Sequence, residues 1–436
     1  MGYQDWLLRC YSAYRDLIPA RWLYHADYFL VLRLLAAPAH LRHAAADYRL
    51  RRVLGDAITS VPFYRRSVRL SRAELANEPP AQLLQRFPYV CKAQVMECQR
   101  DFLHEGRDPR KLHYATSGGS SGQGIGMWRT KRLADIEKAF FTHEWARFGF
   151  SFDKARTLRI GADARAQAHE PPTRVMGNRL LLSPYHLAPR HRDAIVAAIA
   201  RFAPDFIHAY PSSAAALAEL LDGADRVPPL RAVLLASEPA SAPQLAAIGR
   251  VFRCPVSVSY GLTERTNLAF ADGAGPYRFE PLYGYNENFV ADGRHEIVGT
   301  SLWNDVMPLI RYRSDDFGRI AEDGSCAVID GREHDYLVDR CGNRIPGLSI
   351  VIDEVTWDFV RLYQIRQDTP GAITLALVGR HGALSAEQKQ FVLDAQLRRW
   401  GSFFDIGVEE VADIPLAPNG KRKLVDNALR RGIGIS

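Results

Sequence analysis

No apolar stretch of this chain is long enough to cross a bilayer, which takes about 20 residues. The run from Tyr28 to Ala39 (YFLVLRLLAAPA) falls short of that and is interrupted by Arg33. Its flanking arginines, Arg42, Arg49, Arg51 and Arg52, would help it lie on a membrane surface, but a helix docked on the protein core is the favoured reading. The N-terminal stretch MGYQDWLLRCYSAYR scatters its charges and has no small-residue cleavage site, so a secretory leader is not expected. The six cysteines (Cys10, Cys91, Cys98, Cys254, Cys326, Cys341) form neither a CxxC pair nor a dense framework. That excludes a disulfide scaffold and reads as reduced thiols in a cytoplasmic protein. Repeats and low-complexity segments are absent, as is any Lys/Arg block interleaved with aromatics, so nucleic acid is not the expected partner. Neither GxxxxGK[ST] nor GxGxxG occurs, which removes the two commonest nucleotide-loop signatures.

What is present is the balance of a large globular protein. The 436 residues are 47% apolar and 24% charged, enough for two or three domains at roughly 100–200 residues each. A net charge of +7, carried mainly by arginine, suits nucleic acid, anionic lipid or a polyanionic small molecule; phosphate-bearing nucleotides are the favoured choice. Apolar positions recur every three or four residues from Trp6 to Leu54, which predicts a helical lead-in over residues 1–110. VPFYRR (61–66) and RFPYVCK (86–92) interrupt it, and a further helix is expected from Lys131 to Phe148. Between 191 and 260, helices (HRDAIVAAIARF, SSAAALAELLDG, APQLAAIGRVF) alternate with apolar strands (DFIHAYP, LRAVLLASE, CPVSVSY). Such alternation predicts an α/β fold with a mostly parallel sheet flanked by helices. From about residue 276 short strands and Gly/Asp/Asn turns predict a β-rich subdomain. Beyond Glu333 a compact α+β module is expected, with strands near Ile350, at Ala372–Val378 and at Val408–Val411, and a helix at Ser385–Arg399.

Five segments carry candidate chemistry. TSGGSSGQG (116–124) offers glycines for close backbone approach and hydroxyls for phosphate oxygens; taken alone, a flexible loop without phosphate is the better reading. SYGLTER (259–265) follows an apolar strand, so Thr263 and Glu264 stand where α/β sheets bind ligands, at a strand's carboxyl end. The threonine would take an α-phosphate and the glutamate Mg²⁺; a solvated turn is the bland alternative. EIVGTSLWNDVMPLIRYRSDDFGRI (296–320) runs an alternating strand into Arg313, Asp315 and Asp316 before a glycine turn, where a carboxylate can accept both hydroxyls of a ribose and where a surface acidic turn is the ordinary reading. GREHDYLVDRCGNRI (331–345) and PLAPNGKRKLVD (415–426) complete the set, the latter presenting Lys421 after a Pro/Asn/Gly turn.

In their order, these segments resemble the core motifs of the adenylate-forming superfamily, which includes acyl-CoA synthetases, luciferases and peptide-synthetase adenylation domains. VPFYRR, FPYVCKAQV, HAYPSSAAALAE, LLASEPAS and NDVMPLIRYRSDD look most like the phenylacetate–CoA ligase and CapK-like (capsular polysaccharide biosynthesis) branch, over residues 50 to 426. The resemblance implies a phosphate loop at Ser117, Gly118, Gly119, Ser120, Ser121 and Gly122, with Glu238, Pro239, Tyr260 and Gly261 also at the nucleotide. Thr263 and Glu264 would hold the α-phosphate and Mg²⁺, Asp316 and Arg332 the ribose, and Lys421 the reacting carboxylate and α-phosphate. His334 would fall at the hinge between an N-terminal domain (1–332) and a small mobile C-terminal domain (333–436) carrying Lys421. His208, Tyr210, Ser212, Ala236 and Ser237 would line the pocket for a carboxylic acid, with aromatic or apolar acids favoured.

The implied activity is ATP-dependent activation of a carboxylic acid with Mg²⁺, then acyl transfer, with coenzyme A as the default acceptor. An amine, a hydroxyl or a carrier-protein thiol is the alternative acceptor, and a non-catalytic nucleotide binder the competing function. Three departures from the family pattern stand out. The phosphate loop lacks the usual Pro-Lys, Asp315 replaces the glycine before the ribose aspartate, and His334 replaces the commoner hinge Asp or Lys.

Overall fold

The computed structural model describes residues 19–116, 125–161, 170–223, 228–237, 240, 242–291, 294–329, 336–346, 357, 359–414 and 425–429. Helix α1 (Ala26–Leu35) is the docked helix of the favoured expectation. It buries Tyr28, Val31 and Leu35, an i, i+3, i+7 stripe. The stripe faces helix α3 (Lys131–Trp145), and the Tyr28 hydroxyl bonds Thr142 Oγ1 at 3.2 Å. Between them in sequence, α2 (Ala39–Ser60) buries Leu50, Val53, Leu54 and Ala57 against the same core.

Among the described residues the central sheet has nine strands. Five are parallel in the spatial order β5 (Arg179–Leu182), β3 (Thr157–Ile160), β6 (Phe206–Ala209), β7 (Ala232–Ala236) and β8 (Val256–Gly261). Antiparallel strands extend it at both edges: β4 (Thr173–Met176) beside β5, and β9 (Leu268–Asp272), β10 (Tyr277–Phe279) and β14 (Ser325–Cys326) beyond β8. Helices α4 (Arg192–Phe202), α5 (Pro211–Leu221) and α6 (Ala242–Phe252) fall where the alternation predicts them. The parallel strands read as continuous apolar runs because both faces are covered. Side chains alternate between those faces, so in β7 Val233 and Leu235 join Ile195, Ile199, Leu217 and Ile248 on one side. Ala232 and Leu234 join Trp145, Phe150 and Phe206 on the other.

The expected β-rich region contains a second, three-stranded antiparallel sheet of β11 (Gly284–Ala291), β12 (Arg294–Ser301) and β13 (Tyr312–Phe317). Near the C-terminus β17 (Val360–Thr369), β18 (Ala372–Gly379), β19 (Asp405–Glu410) and β20 (Val425–Asn427) form a four-stranded sheet with helix α7 (Ala386–Trp400) and a cluster around Ile365, Leu375, Trp400 and Phe404. Helix α7 begins at a reciprocal Ser385–Gln388 cap, as the sequence placed it. The strand expected at Val408–Val411 starts three residues earlier. The strand expected near Ile350 lies outside the described residues.

Several elements are absent from the sequence reading. Strands β1 (His113–Thr116) and β2 (Gly126–Arg129) form a hairpin around the glycine-rich stretch, too short to show a period. Strand β4 is a half-exposed edge carrying an arginine, and β17 mixes Arg, Gln and Asp among its apolar residues.

Candidate active site

Strand β8 ends at Tyr260 and Gly261, and the chain turns through 262–267 before returning as β9. Thr263 is half-buried in that turn and Glu264 is buried at 7% exposure. The Tyr312 hydroxyl, at the start of β13, donates to Glu264 Oε1 at 2.8 Å. The Tyr260 hydroxyl donates to Asp316 Oδ2 at 3.0 Å. Two tyrosine–carboxylate pairs therefore tie the end of β8 to β13, across 48 and 56 residues of sequence. A buried carboxylate is costly unless it accepts hydrogen bonds, so each pair makes its acid tolerable at that depth. Burial, then the charges of Asp316 and Glu264, hold the Tyr260 phenol well above its ordinary pKa, which keeps it a neutral donor.

The backbone around Asp316 is fixed by its neighbours. Asp316 N–H donates to Ser314 Oγ at 3.1 Å, and Ser314 Oγ donates to the Ile297 carbonyl at 2.7 Å. Asp315, where the family pattern has glycine, has φ +62°, the left-handed region that glycine enters without penalty. Its N–H donates to Glu296 Oε1 at 2.9 Å, while Glu296 Oε2 accepts the Arg313 guanidinium at 2.7 Å. Tyr312 and Glu296 were not anticipated as site residues. Both do sit inside the 296–320 motif, Glu296 at its start and Tyr312 four residues before Asp316.

Of the residues expected to line an acid pocket, His208 lies on the face of the central sheet that packs against Trp145 of α3. The His208 ring packs edge-on against Trp145 at 5.2 Å between centroids. Burial, followed by Arg159 on the adjacent strand β3 and Arg179 on β5 beyond it, pushes its pKa well below the ordinary histidine value, so the imidazole is neutral. Ala236 is in register with Ser259, one residue before Tyr260. Ser237 follows with φ +73°, Tyr210 stands at the start of α5, and Ser212 lies in its first turn. Ser117, Gly118, Gly119, Ser120, Ser121, Gly122, Glu238, Pro239, Arg332, His334 and Lys421 lie outside the described residues.

Glu264 fits the requirement for Mg²⁺. The ion needs only one or two carboxylates when substrate phosphates fill its remaining positions, and no larger cluster of metal-ligating side chains occurs among the described residues.

No protein-family model matches the sequence, and no curated protein is similar to it. Among solved structures, the chain is similar to 2-hydroxyisobutyryl-CoA ligase in the postadenylation state with R3-HIB-AMP, at 17% identity over 90% of this chain and 91% of that one, TM-score 0.49. It is also similar to the amide bond synthetase McbA from Marinactinospora thermotolerans (17% identity, 73% and 71% covered, TM-score 0.36). A third similarity is to o-succinylbenzoate CoA synthetase (MenE) from Bacillus subtilis, a double mutant with a product analogue (17%, 71% and 67%, TM-score 0.36).

Proposed function

We propose that this chain is an adenylate-forming ligase that activates a carboxylic acid with ATP and passes the acyl group to coenzyme A. The observation that carries the proposal is the pairing of Tyr260 with Asp316 and of Glu264 with Tyr312 at the carboxyl end of β8. The motif resemblance assigns Tyr260, Glu264 and Asp316 to a single nucleotide, and a shared nucleotide requires them to be neighbours.

In the proposed reaction a carboxylate oxygen attacks the α-phosphorus of ATP, the bond to the bridging oxygen of the β-phosphate breaks, and pyrophosphate leaves with that electron pair. The acid is already ionised, so no general base is required. Asp316 accepts the ribose hydroxyls and Tyr260 lies against the adenine. Thr263 donates to the α-phosphate and Lys421 neutralises the charge growing on it. Mg²⁺, when bound, is held by Glu264 and offsets the charge of the leaving phosphates. The acceptor sulfur then attacks the acyl–adenylate carbonyl carbon, the carbon–oxygen bond to AMP breaks, AMP leaves with that electron pair, and the thiol proton is lost to solvent. The rate gain comes from positioning and charge neutralisation. The division at residues 332/333, with rotation about His334 between the two half-reactions, belongs to the same proposal, as do the phenylacetate–CoA ligase likeness and a cytoplasmic location.

Acid-dependent pyrophosphate release across a panel of aryl, fatty and amino acids, with and without CoA, tests the proposal on wild type and Lys421→Ala. Release with one acid class, lost in Lys421→Ala, is the expected result, and a CoA requirement for turnover would name the acceptor. Turnover with an amine or hydroxyl acceptor instead of CoA would move the protein to the alternative acyl transfer. ATP binding without turnover on any acid would favour a non-catalytic relative, as the missing Pro-Lys of the phosphate loop does. Absence of ATP binding would overturn the proposal.

A further inference from the structure

The turn that carries Thr263 and Glu264 is anchored at three points, and one of them lies outside the sheets. The Arg265 N–H donates to the Leu262 carbonyl at 3.1 Å, which makes Thr263 and Glu264 the central residues of a tight turn. Arg265 closes the turn with φ +59°, where glycine would sit without penalty. The first anchor is the Tyr312 hydroxyl on Glu264. The second is the buried pair Thr266 and Asn267, which locks the returning chain onto β11 and β12. Thr266 Oγ1 donates to Asn267 Oδ1 at 2.7 Å, and Asn267 Nδ2 donates to Asn286 Oδ1 at 2.8 Å. The approach is close enough to need glycine in both strands. A β-carbon on Gly284 would fall 1.8 Å from the Thr266 carbonyl oxygen, and one on Gly299 would fall 2.2 Å from Asn267 Oδ1.

The third anchor is Glu137, near the middle of α3. Its carboxylate pairs with the Arg265 guanidinium and accepts the Tyr283 hydroxyl at 3.4 Å. Tyr283 in turn packs edge-on against Phe140, one turn along the same helix, at 5.1 Å between centroids. The helix itself is fixed by its buried Leu133, Ile136, Ala139 and Phe140, so Glu137 stands on a rigid support. Arg265 Nε is buried with no hydrogen-bond partner, and Glu137 is the guanidinium's one ion-pair partner among the described residues. The two side chains are 17% and 22% exposed, against 45% and 48% for the surface pair Arg65–Glu105. A pair of the exposed kind fixes little, whereas the shielded one can hold a geometry.

A non-glycine residue in the left-handed region persists where its surroundings over-determine it, and such residues gather at functional sites. Glycine at position 265 would close the turn with less strain, but it would have no side chain to reach α3. Because α3 begins two residues after β2 ends, the pair also fixes the turn relative to the β1–β2 hairpin.

We propose that Glu137 and Arg265 are a positioning pair that holds the Thr263–Glu264 turn, and with it the Glu264 carboxylate, in the orientation that binds Mg²⁺ with the nucleotide. The inference rests on the adenylation function proposed above, and the pair acts only through Glu264. Removing the partners that orient a metal-binding side chain typically weakens the metal by about 10- to 100-fold.

Calorimetric titration of the full chain with AMP and with ATP, with and without Mg²⁺, tests the pair on wild type, E137Q, R265M, R265K and E105Q, with thermal melts alongside. E137Q keeps the volume and an acceptor for Tyr283 but removes the charge that holds Arg265. E137Q and R265M should reduce the gain in ATP affinity that Mg²⁺ gives wild type by about tenfold, leaving AMP and metal-free ATP affinities unchanged. The Mg²⁺ concentration for half-maximal pyrophosphate release should rise by a similar factor. R265K, which keeps the charge without the planar fork, should lose less. E105Q, which breaks the exposed pair, should match wild type. An unchanged Mg²⁺ gain in E137Q and R265M would overturn the inference. So would an equal loss of AMP, metal-free ATP and Mg²⁺–ATP affinity with lower melting temperatures, the behaviour of a pair that serves only the fold. A reduced Mg²⁺ gain in both variants, with no pyrophosphate release by wild type on any acid, would keep the pair and remove the adenylation function.

Discussion

Asp315 holds its strained φ of +62° without a side chain suited to it, although aspartate tolerates that region better than most residues. Asp315→Gly relieves the strain, partly offset by the looser unfolded chain, and keeps the N–H bond to Glu296. Its urea midpoint should rise, by about 0.5–1 kcal/mol in stability. A lower midpoint would mean that contacts of the carboxylate outweigh the strain. Tyr312→Phe acts on the site itself by taking the hydroxyl donor from Glu264. A buried carboxylate oxygen losing its partner costs about 1–3 kcal/mol, and the freed Glu264 side chain should slow pyrophosphate release by about tenfold. Unchanged release would show that Glu264 is positioned without Tyr312. In the sequence Asp315 is one of two turn carboxylates and a departure from the family pattern. Its backbone angle supplies the reason a glycine is usual there. Nothing local marks Tyr312 as the partner of Glu264, because that contact depends on how β13 lies across β8.

The strand that carries Asp316 is held from outside its own sheet by the helical lead-in. The Ile310 N–H donates to the Tyr64 hydroxyl at 2.9 Å, Val90 N–H donates to the Arg311 carbonyl at 3.0 Å, and Arg313 N–H donates to the Val90 carbonyl at 2.8 Å. VPFYRR and RFPYVCK, read from sequence as family likenesses without a role, are therefore the clamp on the segment leading into β13. Tyr64 is fully buried, so Tyr64→Phe leaves the Ile310 N–H unsatisfied and should cost about 1–3 kcal/mol by chemical denaturation. A loss well below that range would mean a water takes the hydroxyl's place. At this scale the alternating helices and strands between 191 and 260 were legible, because apolar runs bounded by turns show their period. The β1–β2 hairpin and β4 were not, since four-residue strands that are half-exposed or rich in Gly and Arg carry too little pattern.

Across the whole molecule, burial raises the pKa of Tyr28, Tyr64, Tyr260, Tyr277, Tyr283 and Tyr285 above the ordinary value near 10. Above that pH the unfolded chain releases phenolic protons that the folded chain retains, so the unfolded state binds fewer protons and stability falls as pH rises. The contribution is fully present below pH ~10 and is lost progressively above it. Urea midpoints should be flat across mildly alkaline pH and drop between roughly pH 10 and 11, with phenolate absorbance lagging behind that of the unfolded protein. A flat midpoint through pH 11 would contradict the burial of these hydroxyls.

The sequence by itself determined the helix–strand alternation, the α/β class and the order of the motifs, because each is written in local periodicity and turn chemistry. The tertiary structure decided which motif residues meet. The Tyr260–Asp316 and Tyr312–Glu264 pairs arise from the packing of β13 against the end of β8. Hydrogen bonds and charge pairs between segments dozens of residues apart leave no trace in the spacing of either segment. They exist only once the sheets have been assembled.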